Sequence, residues 1–335
     1  MADRIAILGA GSWGMAIASL LDKNGHNVRI WEFNHEDYQK LLKYRTHPDK
    51  LKQNRLAESV DITNDLEYAV DGALWITLAV PSQFLRSVLV KLTGHKFGAT
   101  GFVNLAKGIE TTSLRRMSTV IREELGVESA RIVTLSGPSH AEEVVADLPT
   151  AVVAAGISPD VISEVQRIFS TQSFRVYGSD DLIGVELGGS LKNIIAIAAG
   201  IIAGLGLGDN TMGALMTRGL AEMTRLGIAM GAQPRTFAGL SGIGDLITTC
   251  SSRHSRNRYV GEKIGQGQKL STVLASMTMV AEGVETTRSG YALAGQHKVE
   301  MPITNEVYKV LFEDKPPDEA VDDLMGRSLK SEIWQ

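Results

Sequence analysis

Near its start the chain runs from a short apolar strand straight into a glycine-rich turn and on into a helix. No other feature restricts its fold as strongly. Arg4-Ile-Ala-Ile-Leu8 reads as a buried strand, and Gly9-Ala-Gly11-Ser-Trp-Gly14 follows without a spacer. In a G-x-G-x-x-G turn the first glycine permits the tight bend, the second lets backbone approach a pyrophosphate, and the third lets helix and strand pack closely. The free N–H groups and the dipole at the start of the next helix attract phosphate. Residues 15–24 carry Ala16, Ile17, Leu20 and Leu21 at helical spacing. Asn27-Val-Arg-Ile-Trp31 then reads as a second strand ending at Glu32. That is roughly 20 residues past the fingerprint, where such folds place an acid for a ribose hydroxyl. Gly9, Gly11, Gly14 and Glu32 are thus dinucleotide-binding candidates. A glycine-rich turn without a ligand is the alternative, and the flanking strand and helix argue against it.

Further strands are expected near residues 60–62, 73–79, 102–105, 131–135, 150–155 and 173–177, with helices at 82–91, 114–125 and 159–169. Residues 34–58 are a charged stretch with no element assigned. Alternating strands and helices imply a parallel sheet covered on both faces. From residue 180 onward strand signals cease, and helices are expected at 182–205, 211–230, 256–265, 272–277, 285–294, 303–312 and 317–325. Pro316-Pro317 marks a break, with Pro317 suited to the first turn of the last helix. The fold class is an α/β N-terminal Rossmann-type parallel sheet domain, residues 1–178, plus an all-α C-terminal domain, residues 179–335. A length of 335 residues with 44% apolar content suits two such cores.

Composition excludes several functions. A net charge of −4 gives no basic footprint for nucleic acid. The 14 uncharged residues at 194–207 fall short of the roughly 20 needed to span a bilayer, and read as a buried core helix. Asp3 and Arg4 precede only four apolar residues, so no signal pattern is expected. With Cys250 the only cysteine, no internal disulfide forms, which is compatible with a reducing compartment. Seven histidines and one cysteine show no metal-ligand spacing, and neither a nucleophile elbow nor a Walker A sequence is present. Hydride chemistry on a nicotinamide is then the simplest use of the first domain.

Lys192 is the sharpest catalytic candidate. It lies in Val185-Glu-Leu-Gly-Gly-Ser-Leu-Lys192-Asn193, just before the longest apolar run. Apolar surroundings favour the neutral amine, which brings a lysine toward the range useful for proton transfer. Gly188 and Gly189 leave room for something to approach that helix face. A lysine snorkelling from the end of a core helix fits the same spacing. Lys107, in Ala106-Lys-Gly-Ile-Glu110, directly follows an expected strand, at the carboxyl end where open parallel sheets bind ligands, and suits a phosphate or a polarised carbonyl. A solvated loop lysine is equally compatible. Ser136-Gly-Pro-Ser139-His140-Ala141 and Ala79-Val-Pro-Ser82 are further strand-end turns. His140 titrates near neutrality in an ordinary setting, but a lone histidine is more often structural. Leu240-Ser-Gly-Ile-Gly-Asp245 places an acid after a flexible Gly-x-Gly. Ser255-Arg256-Asn257 opens an expected helix, a good site for a dianion, although Arg253 to Arg258 also reads as a solvated charged face.

Together the blocks G-A-G-S-W-G (9–14), A-V-P-S (79–82), A-K-G-I-E (106–110), S-G-P-S-H-A (136–141), G-S-L-K-N (189–193), G-D-L-x-x-T (244–249), S-R-N (255–257) and V-A-E-G (280–283) resemble the bacterial NAD(P)-dependent glycerol-3-phosphate dehydrogenases. They match in order over nearly the whole chain. The resemblance implies reversible reduction of dihydroxyacetone phosphate to sn-glycerol 3-phosphate, feeding glycerophospholipid synthesis, with NAD(H) or NADP(H). It implies Lys192 as proton donor and acceptor, and Lys107, Asn193, Asp245 and Thr249 as substrate-site residues. Ser255, Arg256 and Asn257 would hold the phosphate end, with Arg256 also near the cofactor. Ser12, Trp13, Lys107, Gly137, Ser139, Ala141, Val280 and Glu282 would meet the dinucleotide. A cytoplasmic homodimer is the expected form. Many members carry a small residue and then His or Arg after the second strand, which suits a 2′-phosphate; here the run is Trp31-Glu32-Phe33-Asn34. A carboxylate there repels a 2′-phosphate, so NADH preference is expected, unless Glu32 faces solvent or a cation from Lys40 to Arg55 folds over it. The competing readings are a β-hydroxyacid dehydrogenase of the 6-phosphogluconate type and an NADH-sensing binding module. The roles of His140, Glu142 and Glu186 stay open.

Overall fold

Apolar strand runs and amphipathic helices alternate through the first half of the chain. The computed structural model describes residues 3–47, 49–329 and 331–332. Its first half runs β1 (Arg4–Leu8), α1 (Ser12–Lys23), β2 (Asn27–Trp31), α2 (His35–Tyr44), β3 (Asp61–Thr63), α3 (Leu66–Val70), β4 (Trp75–Leu78), α4 (Ser82–Leu89), β5 (Gly101–Asn104), α5 (Met117–Leu125), β6 (Ile132–Ser136), α6 (Ala141–Val145), β7 (Thr150–Ala155), α7 (Pro159–Phe169) and β8 (Phe174–Ser179). Helices follow: α8 (Leu182–Gly204), α9 (Asp209–Ala229), α10 (Pro234–Phe237), α11 (Asp245–Ser251), α12 (Arg256–Gly265), α13 (Leu270–Ala275), α14 (Glu282–His297), α15 (Pro302–Phe312) and α16 (Pro317–Met325).

The eight strands form one sheet in the order β3-β2-β1-β4-β5-β6-β7-β8. β4, β5 and β6 are buried along their whole length, the pattern of a sheet covered on both faces. The chain reverses its direction of strand addition between β1 and β4, which opens a crevice at their carboxyl ends. One departure from the expected all-parallel sheet is β7, which pairs antiparallel to β6. A parallel return needs a crossover of a dozen or more residues, usually a full helix. Here the connection spends its length on a turn and the five-residue α6.

α2 was hidden in the charged stretch; the Asn34 side chain caps it by accepting from the N–H groups of Glu36 and Asp37. In the second half α8 is the central post, buried over nearly all of its length, with α9, α11, α12 and α14 packed around it. It is long and apolar enough to cross a membrane, but its burial marks it as a core helix. What approaches the helix face at Gly188 and Gly189 is the protein itself. A side chain at Gly188 would strike the Ser241 carbonyl at 2.5 Å, and one at Gly189 the Ser136 hydroxyl at 2.5 Å. They serve close packing of α8 against the π-helical turn Leu240–Gly244 and the end of β6.

Candidate active site

The fingerprint turn has the geometry its glycines require. Gly9 sits at φ +112°, and a side chain there would press on the Ala79 carbonyl carbon and oxygen at 3.0 Å. One at Gly14 would overlap the Gly9 carbonyl oxygen at 1.9 Å. At Gly11, the N-cap of α1, no atom lies within 4 Å of where a side chain would start, so the backbone there is open. Four parallel strands bring their carboxyl ends to this side: β1 leads into Gly9, β4 into the turn at Pro81-Ser82, β5 into the loop of Lys107 and β6 into Gly137.

Opposite them, α8 and α11 present a buried charge network. Lys192 Nζ donates to Asp245 Oδ1 at 2.6 Å and to Thr249 Oγ1 at 2.5 Å. Lys107 Nζ donates to the other oxygen, Asp245 Oδ2, at 2.9 Å, and to the Gly137 carbonyl at 2.8 Å, with Ser139 Oγ at 3.5 Å. Asp245 therefore lies between two ammonium groups, and Thr249 donates back to the Asp245 carbonyl at 2.6 Å. Burial pushes the Asp245 carboxyl up, but the two lysines outweigh it and hold it below the usual carboxylate range. Burial, opposed by Asp245 and aided by Lys107, brings Lys192 down to about 8. Lys192 does not snorkel, being only 5% exposed. Asp245 does not follow a flexible loop; Gly242 and Gly244 belong to the π-helical turn that leads into α11. Cys250 lies beside this network, its thiol pushed by burial up to about 12 and hence unreactive.

Asn193 donates to the Lys107 carbonyl at 3.1 Å and accepts from Asn257 Nδ2 at 2.9 Å, and Asn257 Oδ1 accepts from the Gly283 N–H at 2.9 Å. Both ends of the Asn257 side chain are thus engaged by protein, tying α12 to α8 and α14. Ser255 is the N-cap of α12, accepting from the Arg258 N–H at 3.2 Å. Arg256 is exposed and donates to the Val280 carbonyl at 2.6 Å. Glu282, at the start of α14, accepts from the Ser82 N–H at 2.9 Å, and burial pushes its carboxyl up. Ser12 Oγ meets Met279 Sδ at 3.5 Å, and Trp13 packs against Phe174 with centroids 6.4 Å apart. Ala141 is the buried first residue of α6.

Among the described residues, Trp13 Nε1, Ser136 Oγ, His140 Nε2 and Glu282 Oε2 are buried without a hydrogen-bond partner. His26 Nδ1, Arg45 Nε, His47 Nε2 and Thr77 Oγ1 are also without a hydrogen-bond partner; an orphaned buried polar atom calls for a water, an ion or a ligand to complete it. Trp13, Ser136, His140 and Glu282 lie in blocks that frame the cleft, and with the open backbone at Gly11 they fit a dinucleotide and a small polar substrate. Ser136 escaped sequence reasoning, which drew only Gly137, Ser139 and Ala141 from its block. Glu32 stands apart from the network. It is 6% exposed and accepts from the Asn34 N–H at 2.8 Å, so it does not face solvent. Burial raises its carboxyl while Asn34 and the nearby Lys50 pull it back. Arg45 and Arg55 are occupied elsewhere, with the Val60 carbonyl at 2.6 Å and with Glu58 at 2.8 Å respectively.

Sheet, fingerprint and buried lysine define the class as a nicotinamide-dinucleotide-dependent oxidoreductase with a helical second half. Residues 4–161 match the family model of the NAD-dependent glycerol-3-phosphate dehydrogenase N-terminus, and residues 181–322 that of its C-terminus. The chain is 52% identical to a glycerol-3-phosphate dehydrogenase, NAD(P)+, of Geobacter sulfurreducens over 100% of both chains. It is 50% identical to one of Salinibacter ruber over 100% of this chain and 97% of that one. The crystal structure of glycerol-3-phosphate dehydrogenase from Coxiella burnetii is similar at a TM-score of 0.94 and 38% identity, covering 97% of this chain and 99% of that one. The chain belongs to the NAD-dependent glycerol-3-phosphate dehydrogenase family.

Proposed function

We propose that this protein reversibly reduces dihydroxyacetone phosphate to sn-glycerol 3-phosphate with NADH or NADPH, supplying glycerophospholipid synthesis. The observation that carries the reading to chemistry is the buried Lys107–Asp245–Lys192–Thr249 network beside the fingerprint cleft. The turn from Gly9 to Gly14 would hold the cofactor's pyrophosphate, and the reduced nicotinamide, when bound, would supply the hydride. Lys192 gives its proton to the C2 oxygen and takes it back in the oxidative direction. A group near 8 does both at neutral pH. Asp245 keeps the ammonium aimed, and Lys107 adds a second positive charge where negative charge develops on oxygen. Ser255, Arg256 and the free N–H groups of α12 hold the phosphate. Ser12, Trp13, Gly137, Ser139, Ala141, Val280 and Glu282 would hold the cofactor, with Glu32 toward the adenosine ribose.

Glu32 supports a preference for NADH: its buried carboxylate directly follows β2, the strand end where such folds hold the ribose, and a carboxylate there would repel a 2′-phosphate. A homodimer in the cytoplasm, with residues 1–178 and 179–335 as its two working units, is the form proposed for the enzyme. Light scattering tests the assembly against the chain mass of 36.1 kDa. The functional test is NADH oxidation with dihydroxyacetone phosphate beside a panel of β-hydroxyacids and 6-phosphogluconate. Turnover confined to the triose phosphate is expected. Turnover confined to hydroxyacids contradicts the reading.

A further inference from the structure

His140 is used neither by the fold nor by the chemistry proposed above. It stands at the N-cap of α6, yet its side chain makes no capping bond. It closes the loop whose Gly137 carbonyl and Ser139 hydroxyl Lys107 touches at 2.8 Å and 3.5 Å. Its ring lies 5.9 Å from that of His254, tilted by 52°. His254 directly precedes Ser255, the cap of α12. The two imidazoles thus bridge the sheet half and the helical half, between the lysine network and the helix start suited to a dianion. His140 Nε2 is buried and without a partner. The charged groups facing this ring are Lys192 from α8 and Lys107 from the end of β5, with Glu142 and Glu143 on its own helix. Burial and the two lysines hold the imidazole below its ordinary value; the two glutamates pull the other way. A phosphate dianion entering beside it reverses that balance, since an opposite charge at contact distance favours imidazolium.

We propose that His140, paired with His254, recognises the phosphate end of the substrate as an imidazolium, taking up a proton from solvent as the phosphorylated ligand enters. The proposal rests on the reading that the substrate is a phosphorylated three-carbon ketone. It assigns a binding role to a residue that a lone-histidine argument leaves structural, and it makes substrate affinity depend on pH through the protein as well as through the phosphate itself.

The test is calorimetric titration of sn-glycerol 3-phosphate into the enzyme saturated with NADH, in buffers of different ionisation heat. It is run for the wild type, His140→Phe and His140→Gln, alongside KM for dihydroxyacetone phosphate from pH 6 to 8.5. Phe preserves the bulk of the ring, and Gln preserves hydrogen bonding without charge. The wild type is expected to take up more protons than either variant. Both variants are expected to raise KM roughly tenfold at the acid end, the scale of a lost charge-assisted bond, with the difference shrinking by pH 8.5. Equal proton uptake in all three proteins, with a KM ratio that does not change with pH, overturns the proposal and leaves the functional reading intact. A wild type that does not turn over dihydroxyacetone phosphate overturns both.

Discussion

At the scale of the residue, the environment of Lys192 decides its chemistry. An ammonium stripped of water reverts to amine unless something holds its charge. Asp245 and Thr249 do so incompletely, leaving the group near 8. Reduction needs the ammonium, so kcat/KM for dihydroxyacetone phosphate is expected to fall as pH rises through about 8. Thr249→Val removes one acceptor from that ammonium and favours the amine. The basic limb of the pH–rate profile should move to lower pH, and an unmoved limb would detach Thr249 from the proton donor. Glu32 is the other residue with a sharp consequence. Glu32→Ser removes the carboxylate that opposes a 2′-phosphate, and kcat/KM for NADPH relative to NADH should rise roughly tenfold or more. A wild type that already prefers NADPH contradicts that role, and Lys50, close enough to lower the Glu32 carboxyl, would then be the cation to examine.

Elements carry the precision of the site, and they differ in how openly the sequence declares them. α8 and α12 were legible in outline because an uninterrupted apolar run and a Ser-Arg-Asn start are local signals. The fingerprint turn was legible for the same reason. α11 was not, because its seven residues follow glycines that read as loop, and only packing against α8 makes that turn helical. The direction of β7 was invisible, since alternation of apolar residues says nothing about which way a strand runs. The pairing of Lys107 and Lys192 through one carboxylate joins positions far apart in the chain, so each lysine alone was ambiguous. A buried carboxylate in the helical half was missed altogether. Glu222 on α9 accepts from the N–H groups of Ile303 at 2.6 Å and Thr304 at 3.1 Å, capping α15, and burial pushes its carboxyl up to about 7. Its folded value lies above the ordinary one, so folding favours the protonated form. The cost of ionising it is absent at pH well below about 4.5 and fully present above about 7. Glu222→Gln should therefore flatten the dependence of Tm on pH within that window, while lowering Tm at acid pH through the clash of its amide with the two N–H donors. An unchanged slope would show that Glu222 does not titrate there.

At the scale of the molecule, the two halves meet through buried polar ties as well as apolar surface. Glu186 on α8 accepts from the Ser118 N–H at 2.8 Å and the Ser118 hydroxyl at 2.7 Å, and pairs with Arg116, fastening α5 to the helical half. Glu282 fastens α14 to the start of α4, and Asn193 fastens α8 to the Lys107 loop. Glu186→Ala strands a buried N–H and leaves Arg116 without its carboxylate, with only the Ser118 hydroxyl at 3.1 Å, so a loss of about 3 kcal/mol in denaturant unfolding is expected. A loss near zero would mean that apolar contact alone holds the halves in register. These ties position the sheet's dinucleotide crevice against a lysine carried by a different half of the chain, and the proposed reaction needs both. The most direct test measures cofactor binding and turnover together in Lys192→Ala. NADH affinity, read by fluorescence titration, should stay close to wild type. Turnover of dihydroxyacetone phosphate should fall by about 10²–10⁴, the usual contribution of a positioned proton donor. Retention of both binding and full turnover would contradict the assignment of Lys192 as the residue that moves the proton.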